Sequence, residues 1–220
     1  MIASLIDHLV HAHRHATRLN ADDWTHVVRT EADAYAVQEG VAAALGWPRT
    51  RWKSGGAAAQ GPFSHSPVAP ASGTALIGLE VEVALRVDAQ GEPEAMCAAV
   101  ECIASRWEQG LDAPALLRMA DFQSNAGWWL GPWQPWQELD WGTRNWCLAL
   151  AGQPEIRGCG GHALANPAAV LPAWRAHGAS LGQPIQAGTV VTTGAWAGLH
   201  PVSGSAHGSL NIEGLGELRF

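Results

Sequence analysis

Lysine is almost absent from this chain. Of its 13 basic residues, 12 are arginine and one, Lys53, is lysine. An arginine keeps its proton near neutral pH, so among the strong bases only Lys53 can carry one to a substrate. Long apolar runs are missing too. Nothing approaches the roughly 20 residues that span a bilayer, and no membrane partner is expected. Acidic residues outnumber basic ones, and the net charge of −7 excludes a general affinity for nucleic acid or anionic surfaces. The four cysteines, Cys97, Cys102, Cys147 and Cys159, have neither zinc-finger nor CxxC spacing. They predict reduced thiols in a cytoplasmic protein. The opening stretch MIASLIDHLVHAHRHATRLN is broken by polar residues and does not read as a signal peptide.

What is present points to an ordered globular chain. Its 220 residues are 47% hydrophobic and 15% charged, enough for one domain with a sizeable core. The aromatics are lopsided, with 12 Trp against one Tyr and three Phe, and six of the Trp fall within residues 128–146. No internal repeat or linker divides the sequence.

The chemistry concentrates in residues 78–106. Leu79, Val81, Val83, Leu85 and Val87 alternate with Glu80, Glu82, Ala84 and Arg86, the period-two pattern of a strand. Residues two apart on a strand point the same way, so Glu80 and Glu82 share one space. Like charges that close repel unless a cation lies between them or one is protonated. Glu101 follows in AVECIASR. Three carboxylates without a neighbouring His or Cys form an oxygen-only donor set, suited to Mg²⁺, Mn²⁺ or Ca²⁺. The competing view is a solvated polar sheet face.

Around this stretch the patterns predict a helix over 2–19 and a second over 31–45, with Thr30 as N-cap, Asp33 at the reciprocal position and Gly46 as the stop. His8, His11 and His15 form a solvated row on the first. Arg49, Arg51 and Lys53 suggest a strand, and residues 55–73 a loop over the site. Residues 96–105 fit a helix or a strand equally. A short helix over 112–120 and a strand over 128–131 follow, with Asp121, Gln123, Ser124 and Asn125 between them. Later come a hairpin over 145–158, a helix over 166–177, a strand over 189–193 and a final hairpin over 208–220.

RWKSGG, the E-x-E strand, VECIASRW, LLRMADFQSNAGWWLG and IQAGTVVTTGAWAG occur in an order that resembles the fumarylacetoacetate hydrolase superfamily. Within it the chain is most similar to the 2-keto-4-pentenoate hydratase and 4-oxalocrotonate decarboxylase branch. The resemblance runs from EADAYAVQEGVAAALG to the C-terminal phenylalanine. It implies an α+β fold with a rolled mixed β-sheet core and peripheral and N-terminal helices. Residues 1–47 would be a helical segment and 48–220 a metal-binding, β-rich catalytic core, together one domain. It also implies a short helix before the strand that carries Glu101. Glu80, Glu82 and Glu101 would bind the divalent metal, and Lys53 would be the catalytic lysine. Asp121, Gln123, Ser124 and Thr193 would approach the substrate, with Asn125 beside them as a further contact or support. Two departures stand out: the segment between Lys53 and Glu80 is short, and Ala104 occupies the place of an aspartate.

The implied substrate is a small 2-oxo or 2-hydroxydienoate acid, and the implied assembly a homo-oligomer, with a homologous pathway enzyme as a further partner. Hydration of a 2-hydroxypenta-2,4-dienoate-type acid ranks first and decarboxylation of an unsaturated 2-oxo diacid second. C–C hydrolysis of an acylpyruvate-like dicarbonyl ranks third, because it needs a general base and only His65, in the short loop, offers itself. A non-catalytic structural subunit is the reading from another class.

Overall fold

A computed structural model describes residues 1–56, 61–70 and 75–220. Helix α1 (Ile2–His15) buries Leu5, Leu9, Val10 and Ala12 and stops where Ala16 turns left-handed, earlier than its apolar stripe suggests. Helix α2 (Glu31–Leu45) has the expected reciprocal cap: Asp33 N–H donates to the Thr30 hydroxyl, and Thr30 N–H to the Asp33 carboxylate. Gly46 ends it at φ 67°, a conformation glycine adopts without a Cβ penalty.

Strands β1 (Arg51–Gly55), β2 (Ser64–Pro67), β3 (Leu76–Val87) and β4 (Pro93–Ile103) come next, then helix α3 (Ala115–Ala120), β5 (Asn125–Leu130) and β6 (Gln134–Pro135). The second half holds β7 (Asn145–Leu150), β8 (Ile156–Cys159), helix α4 (Leu171–Ser180), β9 (Val190–Thr192), β10 (Leu199–Gly204), β11 (Gly208–Ile212) and β12 (Gly216–Arg219). The larger sheet runs β2-β1-β9-β3-β4-β5, with β10 added to β3 and β6 to β4; β1 and β9 are parallel and the other pairs antiparallel. The smaller sheet runs β12-β11-β7-β8. This is the α+β, mixed-sheet architecture that the resemblance implies.

One face of β3, with Leu79, Val81, Val83, Leu85 and Val87, packs into a core shared with Leu148, Leu210 and Ile212 of the smaller sheet and Trp174 of α4. A second core joins Leu5, Leu9, Val37 and Val41 of the N-terminal helices to Trp107, Leu117 and Phe122. Fully burying an apolar side chain of this size contributes roughly 1.5–3 kcal/mol. The candidate site lies between these two cores, on the other face of β3.

Two expectations are corrected here. Residues 93–103 form one continuous strand, with no helix before Glu101. Because β4 is buried on both faces from Ala95 to Ile103, it lacks the polar alternation that would distinguish it from a helix. Within the presumed loop 55–73, residues 64–67 are strand β2, paired to β1, with His65, Ser66 and Val68 buried. The remainder of that expectation falls partly on residues 57–60 and 71–74, which lie outside the described residues.

Burial also fixes an acid response. His13 sits edge-on to Trp47 and Phe122 with its Nε2 3.8 Å from Asp121. Burial, and then the charge of Arg106, pull its pKa down to about 2. The unfolded chain protonates this imidazole below about pH 6.5 while the native state does not. The native state therefore holds His13's full contribution above that pH and loses it as pH falls toward 2. His13→Gln should flatten the decline of stability between pH 6 and 4.5 by about 1.4 kcal/mol per pH unit. Denaturant titrations at stepped pH check this. An unchanged slope would mean that His13 titrates normally.

Candidate active site

Glu80 and Glu82 project from the β3 face opposite the hydrophobic core. In the β3–β4 pair Glu80 lies directly across from Glu101, so the third carboxylate joins the same face. Carboxylate oxygens of the three lie within 4.8 Å of one another. Glu82 and Glu101 are buried and Glu80 half-buried. Both oxygens of Glu82, and Oε2 of Glu101, have no hydrogen-bond partner among the described residues. Burial first, then the charge of Glu101, push the Glu82 carboxyl well above its ordinary pKa. Burial also raises that of Glu80, against the opposing pull of Lys53.

A buried anion without donors is costly in a closed protein. One hard dication with oxygen bonds of about 2.0–2.6 Å can bridge oxygens so spaced, after small side-chain rotations. The donor set therefore fits Mg²⁺, Mn²⁺ or Ca²⁺.

Lys53 reaches this face because β1 sets it beside Ser66 of β2 and Thr192 of β9. Its ammonium lies 2.5 Å from Glu101 Oε1. Burial lowers the Lys53 pKa, but Glu101, Glu80 and Glu82 more than offset this and hold it above its ordinary value. Asn125 Nδ2 donates to the same Glu101 oxygen at 2.8 Å. Asn125 is itself fixed, since its Oδ1 accepts from the amides of Ala69 (3.1 Å) and Gly127 (3.0 Å). Glu101 thus keeps one oxygen held by the protein and one turned free.

Beside the carboxylates is a cavity of about 470 Å³. Lys53, Glu80, Ile103, Ser64 and Leu199 line the sheet side, and Ala115, Arg118 and Met119 the α3 side. Gln123 and Ser124 close it. Phe122, Gln123 and Ser124 take φ values of 53°, 55° and 61°, three consecutive left-handed residues without a glycine. Such backbone costs of order 1–3 kcal/mol per residue, and here it turns both polar side chains toward the cavity. The Ser124 hydroxyl is buried without a partner among the described residues.

The remaining expected residues lie elsewhere. Asp121 is fully buried, with its carboxylate accepting from Arg106 N (2.9 Å) and Arg106 Nε (2.5 Å), so it anchors the turn and does not line the cavity. Thr193 falls on the core face, where its hydroxyl donates to Val83 O and meets His162. The threonine on the carboxylate face is Thr192, opposite Ala84 and Lys53, with its hydroxyl near Glu82 but outside hydrogen-bond geometry. His65, opposite Ser54 in the β1–β2 pair, turns away from Lys53. It bonds Ser54 Oγ at 2.8 Å and stacks on His177. Of the four turn residues that the sequence singles out, Asn125 is the one that braces Glu101, and Arg118 is the addition that sequence reasoning missed.

No protein-family model matches the sequence, and no curated protein matches it. Solved structures do. The chain is similar to 4-oxalocrotonate decarboxylase from Pseudomonas putida G7 complexed with magnesium and adipate, at 20% identity over 99% of this chain and 95% of that one, with a TM-score of 0.82. The same enzyme complexed with calcium and acetate gives 20% identity, the same coverage and a TM-score of 0.79. A 2-keto-3-deoxyarabinonate dehydratase follows at 16% identity, covering 76% of this chain and 70% of that one, with a TM-score of 0.55. The fold is therefore that of 4-oxalocrotonate decarboxylase, in agreement with the superfamily that the sequence motifs resemble.

Proposed function

We propose that the chain is a divalent-metal-dependent lyase of the fumarylacetoacetate hydrolase superfamily, hydrating a 2-hydroxypenta-2,4-dienoate-type acid to a 4-hydroxy-2-oxo acid. The observation that carries this reading is the trio Glu80, Glu82 and Glu101, which converge with unpartnered buried oxygens beside the chain's single lysine. The neighbour solved with magnesium or calcium supports the choice of ion. Bound by the three carboxylates, Mg²⁺ or Mn²⁺ would supply Lewis-acid stabilisation for negative charge gathering on the 2-oxygen of a 2-oxo acid.

The protein's own residues supply the rest. Lys53 Nζ moves the proton, because it is buried on the carboxylate face at the edge of the cavity. Asn125 holds one oxygen of Glu101, which leaves the other free for the ion that the three carboxylates would bind. Gln123 and Ser124 offer hydrogen bonds to the polar end of the acid, and Ile103, Met119 and Leu199 cover its carbon chain. During ketonisation the 2-hydroxyl proton is lost and a carbon gains one. Water then adds across the conjugated double bond, its hydroxyl to C4 and its hydrogen to C3.

Decarboxylation of an unsaturated 2-oxo diacid is the second reading, favoured by the neighbour's reaction and served by the same metal and lysine. Hydrolysis of a 1,3-dicarbonyl has less support, since His65 is engaged with Ser54 and lines no wall of the cavity. A structural subunit would have no use for buried, donorless carboxylates. An ultraviolet assay over a panel of 2-hydroxydienoates and unsaturated 2-oxo diacids, with and without Mg²⁺ or Mn²⁺, tests the reading. Metal-dependent loss of dienoate absorbance is expected. Failure of every substrate in metal-loaded protein would overturn it.

A further inference from the structure

The cavity beside Lys53 contains a second cation. Lys53 is neutralised by Glu101 at 2.5 Å. Arg118, on the α3 wall, enters no ion pair among the described residues. Its Nε is buried without a hydrogen-bond partner among the described residues. Glu31 lines the same cavity but is exposed and forms no ion pair among the described residues. Ala115, Met119 and Leu111 line the same cavity with apolar surface. A guanidinium nitrogen left buried and unpaired costs free energy that an arriving anion would recover.

We infer that Arg118 is the specificity-determining residue of this cavity, holding the far carboxylate of a dicarboxylic 2-hydroxydienoate that the reaction leaves in place. This rests on the proposed reading of the metal–lysine end, where the first carboxylate and the 2-oxygen sit. Ile103, Leu199 and Met119, which line the same cavity as the two ends, suit a short carbon chain bearing a carboxylate at each terminus. A guanidinium fork also matches carboxylate geometry in a way that an ammonium does not.

Retention of the far carboxylate follows from charge. A carboxylate leaving as CO₂ loses its negative charge on the way to the transition state. A guanidinium bound to it stabilises the starting acid more than that transition state, and so slows the step. Hydration changes no charge there: water places its hydroxyl on C4 and its hydrogen on C3, and both carboxylates survive. Gripping the far end then orients the conjugated chain toward Lys53.

The test is calorimetric titration of Mn²⁺-loaded protein with 2-oxopentanoate and with 2-oxoadipate. The diacid should bind about tenfold or more tightly, as expected for a charge-assisted contact. Arg118→Met should bring the ratio of the two affinities to near one, and Arg118→Lys should restore part of it. Equal binding by the wild type, or a preference that survives in Arg118→Met, would overturn the inference. So would an equal loss of both acids in Arg118→Met, which would make Arg118 a support of the cavity wall and not a reader of the far carboxylate. If neither acid binds the metal-loaded wild type, the metal–lysine reading itself fails, and that outcome is distinct. With a 2-hydroxydienedioate as substrate, release of CO₂ would contradict retention.

Discussion

Replacing Lys53 by alanine is expected to lower kcat by about 10²–10⁴-fold while Mn²⁺ and oxalate still bind. The reason is a division of labour on one sheet face. The carboxylates of Glu80, Glu82 and Glu101 can hold an ion but are poor proton carriers while they do so. Lys53 Nζ is the basic nitrogen that shares their face and lines the cavity. Lys53→Arg should fail nearly as badly, because a guanidinium keeps its charge yet does not release its proton. Near-normal turnover in Lys53→Arg would make Lys53 an electrostatic anchor for the substrate carboxylate. Removing one partner of a buried pair costs about 3–5 kcal/mol. The variants are therefore best compared with metal present, where the ion takes over part of the load on Glu101.

Glu82→Gln should abolish metal binding and activity together. Glu82 is buried and both its oxygens lack a donor among the described residues, a deficit that a bound ion would meet. At metal concentrations about 100 times Kd, wild-type protein should gain about 2.7 kcal/mol. For a chain of this size that is a rise in Tm of about 5–10 °C. In Glu82→Gln that rise should vanish. The metal-free variant should melt no lower than the metal-free wild type, because a like charge has been removed from beside Glu101. A variant that keeps the metal-induced rise, or melts several degrees lower without metal, would mean that Glu82 is a structural group.

Much of this site could be read in the sequence because its determinants are local. The alternation through Val81, Glu82 and Val83 announced a strand with both glutamates on one face, and β3 has that form. Thr30 and Asp33 announced the start of α2 in the same way. What escaped depends on partners distant in the chain. The β4 residues are buried on both sides, so their pattern could not separate helix from strand. Thr192 and Thr193 are adjacent and of one type. Only the pairing of β9 with β1 and β3 decides which hydroxyl faces Glu82. The Pro- and Ser-rich context of His65 reads as a loop, but its pairing with Ser54 turns it off the cavity. Arg118 carried no spacing signal: its role arises only where α3 meets the sheet across the cavity.

Diffraction at a manganese-sensitive wavelength from crystals grown with Mn²⁺ and oxalate tests the central claim most directly. The expected result is one anomalous peak about 2.0–2.6 Å from carboxylate oxygens of Glu80, Glu82 and Glu101, with oxalate on its cavity side near Lys53. Contradiction would be an anomalous peak elsewhere, or none, with Glu82 still without a partner and Lys53 still paired to Glu101 alone.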